Sequence, residues 1–124
     1  MRRHPGLAAI SVFLLAIPLA DCGRRPDAAL PPGDPGQGAM LLSAHGCGSC
    51  HSIPGVTGAG GTIGPPLDAY GSRAFIAGKL PNQFHNLTRW IRTPQAIEPG
   101  TAMPNLPVNE AEARAMAAYL YTLR

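Results

Sequence analysis

Cys47-Gly48-Ser49-Cys50-His51 places two thiols three residues apart, with an imidazole directly after the second. On a helical turn residues i and i+3 share a face, so both thiols can meet the two vinyl groups of one porphyrin. The pattern is that of a c-type haem attachment site. His51 then sits under the iron and offers a ring nitrogen as an axial ligand. The rival readings are a zinc half-site, a thioredoxin-like redox pair and a plain disulfide. A zinc site wants about four ligands, usually with a second Cys or His pair, and no such pair follows. The thioredoxin reading needs a βαβ context, which the sequence does not offer.

An iron held by His51 alone stays five-coordinate until another ligand arrives. The candidates are Met40, Met103, Met116, His45 and His85. Met40 and Met116 fall at helical core spacing, where methionine packs. His45 is too close to His51 in sequence to cross a haem plane, and His85 lies in the polar stretch Asn82-Gln83-Phe84-His85-Asn86. Met103 sits in Pro99-Gly100-Thr101-Ala102-Met103-Pro104, an irregular loop pinned by prolines that can hold a side chain at a fixed place. A thioether opposite a histidine raises the haem potential and suits electron transfer.

The elements that must position these residues read as helices. Asp34-Pro35 is an N-cap with proline at the first helical position, so a first helix runs through Met40, Leu41 and Ala44 toward the Cys47 motif. Gly38 inside it costs about 1 kcal/mol relative to alanine and points to close approach by another helix. Residues 53–67 hold five glycines and three prolines. They lack the G-x-G-x-x-G spacing and the Gly-Lys-Ser/Thr of phosphate-binding loops, and read as a loop around a flat cofactor. Asn86 is expected to cap a short helix from Leu87 to Thr93, ended by Pro94, with Leu87, Trp90 and Ile91 on its buried face. Asn109 caps a last helix to Leu123, with Glu110 and Glu112 in its first turn and Ala113, Met116, Ala117, Leu120 and Leu123 as its apolar stripe. No segment alternates convincingly with period two, so the domain reads as all-α: about four short helices and long loops around one haem.

Composition agrees. The 124 residues include 14 prolines and 15 glycines, with 14% charged and 6% aromatic residues. So small and loop-rich a domain buries little apolar surface unaided, and covalent haem would supply much of its core, so the apoprotein is expected to fold poorly. The formal charge is +3, but from Asp34 onward six basic residues face five acidic ones. That near-neutral balance gives no nucleic-acid footprint and no lysine ring to steer an acidic partner.

The N-terminus has its own logic. Arg2 and Arg3 precede the apolar run from Leu7 to Ala20, the pattern of a secretory signal. The run is shorter than the roughly 20 residues of a spanning helix, and the Arg pair alone is poor grounds for a twin-arginine signal. Cys22 is left without a partner once Cys47 and Cys50 hold haem. Leu19-Ala20-Asp21-Cys22 is similar to a bacterial lipobox, although Asp21 replaces the usual small residue; the alternative is cleavage after Ala20 with an incidental thiol. The expected organisation is a signal peptide (1–21), a lipid attachment site with a Pro/Ala/Arg-rich tether (22–33), and a haem domain (34–124), exported to the periplasm and anchored to a membrane through Cys22.

Taken together, Gly38-x-x-Leu41-Leu42, Cys47-x-x-Cys50-His51, Gly64-Pro65-x-Leu67, Gly100-Thr101-x-Met103-Pro104 and Ala118-Tyr119-Leu120 resemble a class I cytochrome c. Leu80-Pro81-Asn82, Asn86-Leu87-x-x-Trp90-Ile91 and Pro94-Gln95 are similar to the cytochrome c domain appended to subunit II of some bacterial cytochrome c oxidases. The resemblance spans Gly36 to Leu123. It implies one covalent haem c on Cys47 and Cys50, with His51 and Met103 as iron ligands and Pro65 accepting a hydrogen bond from His51. It further implies Leu67 at the haem, Arg73 and Trp90 on a propionate, and Gly38 meeting Tyr119 where the end helices cross. Leu42 departs from the family's usual aromatic residue. No copper-binding domain precedes the motif, so the chain is not expected to be subunit II itself. The implied function is one-electron transport in the cell envelope, without catalysis by this chain. The partners would be a terminal oxidase, a bc1-type complex or a periplasmic dehydrogenase. An electron-accepting dehydrogenase subunit is the alternative. A gas sensor or peroxidase would require Met103 to leave the iron.

Overall fold

The structure is a computed structural model and describes residues 33–124. The expected signal peptide, Cys22 and nearly all of the tether lie outside the described residues. Four helices, α1 (Pro35–Ala44), α2 (Phe84–Arg92), α3 (Pro94–Ile97) and α4 (Glu110–Thr122), carry most of the regular structure. Among the described residues no helix is long and apolar enough to cross a membrane.

The first and last helices begin as their caps dictate. The Asp34 side chain accepts from the Gly36 N–H at 2.8 Å, with Pro35 opening the helix. At α4 the capping box is complete: Asn109 Oδ1 accepts from the Glu112 N–H at 3.0 Å, and Glu112 Oε2 accepts from the Asn109 N–H at 2.9 Å. α1 stops at Ala44. Gly46 then takes a left-handed φ of 70°, which glycine adopts without steric cost, and the chain enters the 3-10 turn Cys47–Ser49.

α1 crosses α4 at Gly38, which is buried. A methyl there would collide with the Ala115 carbonyl oxygen and lie 2.9 Å from Tyr119 Cβ. The expected stripe on α4 is buried through Ala113, Met116, Ala117 and Leu120, and Ala115 and Ala118 are buried as well. Gly38 opposite Ala115 lets the helix backbones approach. The Tyr119 hydroxyl donates to the Pro54 carbonyl at 2.7 Å, tying α4 to the loop beyond His51.

Three expectations need correction. Asn86 does not cap α2. The helix starts two residues earlier, at Phe84, after an extended Gln83 that makes no side-chain cap. Asn86 is buried within it and donates to the Pro81 carbonyl at 3.1 Å. Pro94 is not merely a terminator, for it opens α3 at the position where a missing N–H costs nothing. Met40 is not core packing but 67% exposed. The structure also holds a two-residue antiparallel pair, β1 (Phe75–Ile76) with β2 (Leu80–Pro81). Ala77 and Gly78 at its turn both have positive φ, 49° and 68°. Strands this short cannot show a period-two pattern.

Gly38→Val would force the helices apart. Overpacking of this kind costs about 1–3 kcal/mol, so thermal melting followed by far-UV circular dichroism is expected to fall by several degrees. Val at the exposed Gly36 should move it much less.

Candidate functional site

α1, α2, α4 and the loops 52–69 and 98–109 enclose a cavity of about 590 Å³, a size typical of ligand and cofactor sites. Its walls include the buried side chains of Leu42, Leu67, Leu87, Ile91, Met116 and Leu120. The eight site residues expected within the described chain all line this one space: Cys47, Cys50, His51, Pro65, Leu67, Arg73, Trp90 and Met103.

The two cysteines enter on the 3-10 turn Cys47–Ser49 and the residue after it, where residues three apart are nearly eclipsed. Both cysteines are partly buried and are not joined to each other by a disulfide. Burial pushes the Cys47 thiol above its ordinary range; its own backbone hydrogen bond opposes this and the neighbouring Cys50 adds to it. Among the described residues no group of three or more His, Cys, Asp or Glu side chains is placed to hold a metal ion together, so nothing completes a zinc half-site.

His51 is oriented by its neighbours. Its Nδ1 lies 2.7 Å from the Pro65 carbonyl oxygen. A carbonyl can only accept, so Nδ1 carries the proton and Nε2 keeps its lone pair for a metal. Gly64 packs directly on the ring: a Cβ there would sit 2.7 Å from Nδ1 and 3.0 Å from Nε2. The loop that supplies these contacts is itself braced. Gly64 N–H donates to the Cys50 carbonyl at 2.8 Å, and Leu67 N–H to the Ser52 carbonyl at 2.8 Å. Arg73 Nη2 donates to the carbonyls of Pro66 at 2.5 Å and Asp68 at 2.9 Å. The side chain expected to face a propionate thus also secures the turn that holds His51.

Of the second-ligand candidates, Met103, Met116 and His45 line the cavity, while Met40 and His85 do not. His85 is exposed in the first turn of α2. His45 lies 3.8 Å from Glu112. Met116 is fully buried in the core. Met103 is half-buried on the 98–109 loop, as a ligand that must reach into a preformed space requires. The arrangement fits a flat apolar cofactor with one metal ion. Two thiols stand at one wall, a nitrogen donor has its tautomer set, a thioether is in reach, and a glycine clears room for the imidazole.

Tyr70 was not singled out by any motif. It is 6% exposed, lines the cavity, and carries the Arg73 guanidinium 5.0 Å above its ring. The available signal was its position three residues before Arg73, but lone tyrosines near an arginine are common in sequence.

Two comparisons bear on the site. The family model described as Cytochrome c matches residues 36–124. A relative named cytochrome c oxidase subunit 2, from Alkalihalophilus pseudofirmus, is 38% identical over 89 residues. That match covers 71% of this chain, and the chain spans a quarter of the relative's length (25%).

Tyr70 yields a pH prediction. Burial, partly offset by Arg73 and reinforced by Tyr121, pushes its hydroxyl up to about 12. A raised value means the folded state prefers the neutral phenol. That contribution to stability is complete below the unfolded value of about 10 and is lost as pH climbs toward 12. Denaturant titrations at a series of alkaline pH values should therefore show stability falling across that window, and Tyr70→Phe should flatten the fall.

Proposed function

The chain belongs to the cytochrome c family, and we propose that it is a one-electron carrier of the bacterial cell envelope that keeps both iron ligands throughout its cycle. The observation that carries this reading is the convergence of Cys47, Cys50, His51 and Met103 on one apolar cavity. The family binds haem c covalently through cysteine side chains, and when bound the haem supplies an iron that alternates between ferrous and ferric states.

The residues divide the work. Cys47 and Cys50 would hold the porphyrin by thioether bonds, and His51, its tautomer set by Pro65, would hold the iron through Nε2. Met103 would be the second side chain to hold the iron, through its thioether. With His51 and Met103 both holding the iron, oxygen and peroxide would find no open site on it, which favours a carrier over an enzyme. The apolar walls would keep water from the iron and limit reorganisation of charge. Arg73 and Trp90 would meet a propionate, with Tyr70 beneath the guanidinium.

The partner face is read from the cavity mouth. Ile63 (77% exposed) and Phe75 (58% exposed) both line the cavity and face solvent. The sequence's single lysine, Lys79, is paired with Glu98 at 3.2 Å. Apolar contact rather than charge steering would bring a partner in. The relative's name supports a terminal oxidase as that partner. Periplasmic export and a lipid anchor at Cys22 complete the proposal, since a tether raises the effective concentration at a membrane-bound partner.

The oxidised holoprotein should show the weak far-red sulfur-to-iron band. Met103→Ala should abolish it and lower the reduction potential substantially, whereas Met116→Leu should leave the band in place. A wild-type protein without the band would remove Met103 from the iron. Mass spectrometry of the mature protein should show the mass of one haem plus a diacylglyceryl group on a chain beginning at Cys22; a chain beginning at Asp21 without lipid would exclude the anchor.

A further inference from the structure

Pro94-Gln95 belongs to the motif set of the sequence, yet the haem site as described gives Gln95 no task. Its side chain lies on α3, half-buried, and does not line the cavity. Instead it reaches the loop behind Met103. Gln95 Nε2 donates to the Thr101 carbonyl at 2.6 Å and to the Met103 carbonyl at 3.0 Å. Its backbone N–H donates to Asn105 Oδ1 at 3.3 Å. Within the loop, the Met103 N–H donates to Thr101 Oγ1 at 3.4 Å. One residue therefore grips the chain at Met103 itself and on both sides of it.

From this geometry we propose that Gln95 is the positioning residue for the axial-ligand loop, holding Met103 so that its thioether stays at the metal. The inference rests on Met103 being the second ligand. The physical reason lies in the loop's composition. Pro99 and Pro104 have no N–H, and Gly100, at φ 89°, is conformationally free. The loop cannot hold itself by its own backbone ladder. A primary amide supplies two N–H donors on one nitrogen, enough for two carbonyls at once. Gln95 is anchored in turn by α3, whose Pro94 is fully buried, so the clamp is fixed to the core.

Losing both hydrogen bonds should raise the population with Met103 displaced by roughly tenfold or more. An external ligand for the vacated position would then bind more tightly in proportion to that population.

The test uses the oxidised holoprotein and imidazole as the competing ligand. Gln95→Met keeps the length but has no donor; Gln95→Lys keeps a donor at similar reach. In the wild type the far-red band should bleach as imidazole is added. Gln95→Met should bleach at roughly tenfold lower concentration, and Gln95→Lys should stay within about threefold of wild type. Thermal melting by far-UV circular dichroism separates a clamp from a general structural role. Clamp loss moves the imidazole midpoint far more than the melt, whereas equal movement of both overturns the proposal. So does an unchanged midpoint in Gln95→Met. A wild type without the band would instead overturn the assignment of Met103 and the clamp with it.

Discussion

The close crossing of α1 and α4 at Gly38 is the constraint on which the rest of the structure depends. α1 ends three residues before Cys47, so its placement sets where the two thiols and His51 stand. α4 provides Met116 and Leu120 to the cavity wall and Tyr119 to the Pro54 carbonyl. The absence of a side chain at Gly38, over the backbone of Ala115, brings the two helices together at backbone contact. The cavity is then bounded before any loop is considered.

The loops complete it in a manner suited to a proline-rich chain. Proline removes backbone donors while keeping the carbonyl, and a ladder of backbone hydrogen bonds cannot form through such segments. Side chains supply the missing donors. His51 donates to Pro65, Arg73 to Pro66, Tyr119 to Pro54 and Asn86 to Pro81. Gln95 does the same for Thr101 and Met103 in a loop bounded by two prolines. The long loops are thereby ordered without regular secondary structure. The chemistry-bearing residues sit on them because a loop can be aimed where a helix face cannot.

Much of this was legible in the residues. The CxxCH spacing and the Asp34 and Asn109 caps follow from local rules, since each depends on neighbours within one or two turns. The buried face of Leu87, Trp90 and Ile91 and the close approach at Gly38 were signalled by spacing and by a glycine inside a helix, although their packing partners lie far along the chain. The misreadings have a common cause. Asn86 has the chemistry of a cap, but its amide was taken by Pro81, a partner outside the helix. Met40 has the spacing of a core residue, but exposure depends on which face α4 covers. The hairpin at Ala77 and Gly78 was hidden because alanine rarely adopts a positive φ and two-residue strands carry no pattern. Arg73 and Gln95 were recognisable as motif members, but their bonds run to loop carbonyls, and a carbonyl has no signature in sequence.

The sequence by itself determined the cofactor chemistry and the helical class: two thiols, an imidazole, candidate thioethers and three of the four helical segments. Tertiary structure decided which of those groups share one space. It set Met103 and Met116 on the cavity wall and Met40 in solvent, gave His51 its Pro65 acceptor, and turned Gln95 toward the back of the ligand loop. The physical reason is that donor identity is a property of a residue, whereas coordination and hydrogen bonding are properties of distance. Those distances exist only after α1 and α4 have closed on each other and the proline-rich loops have found their donors.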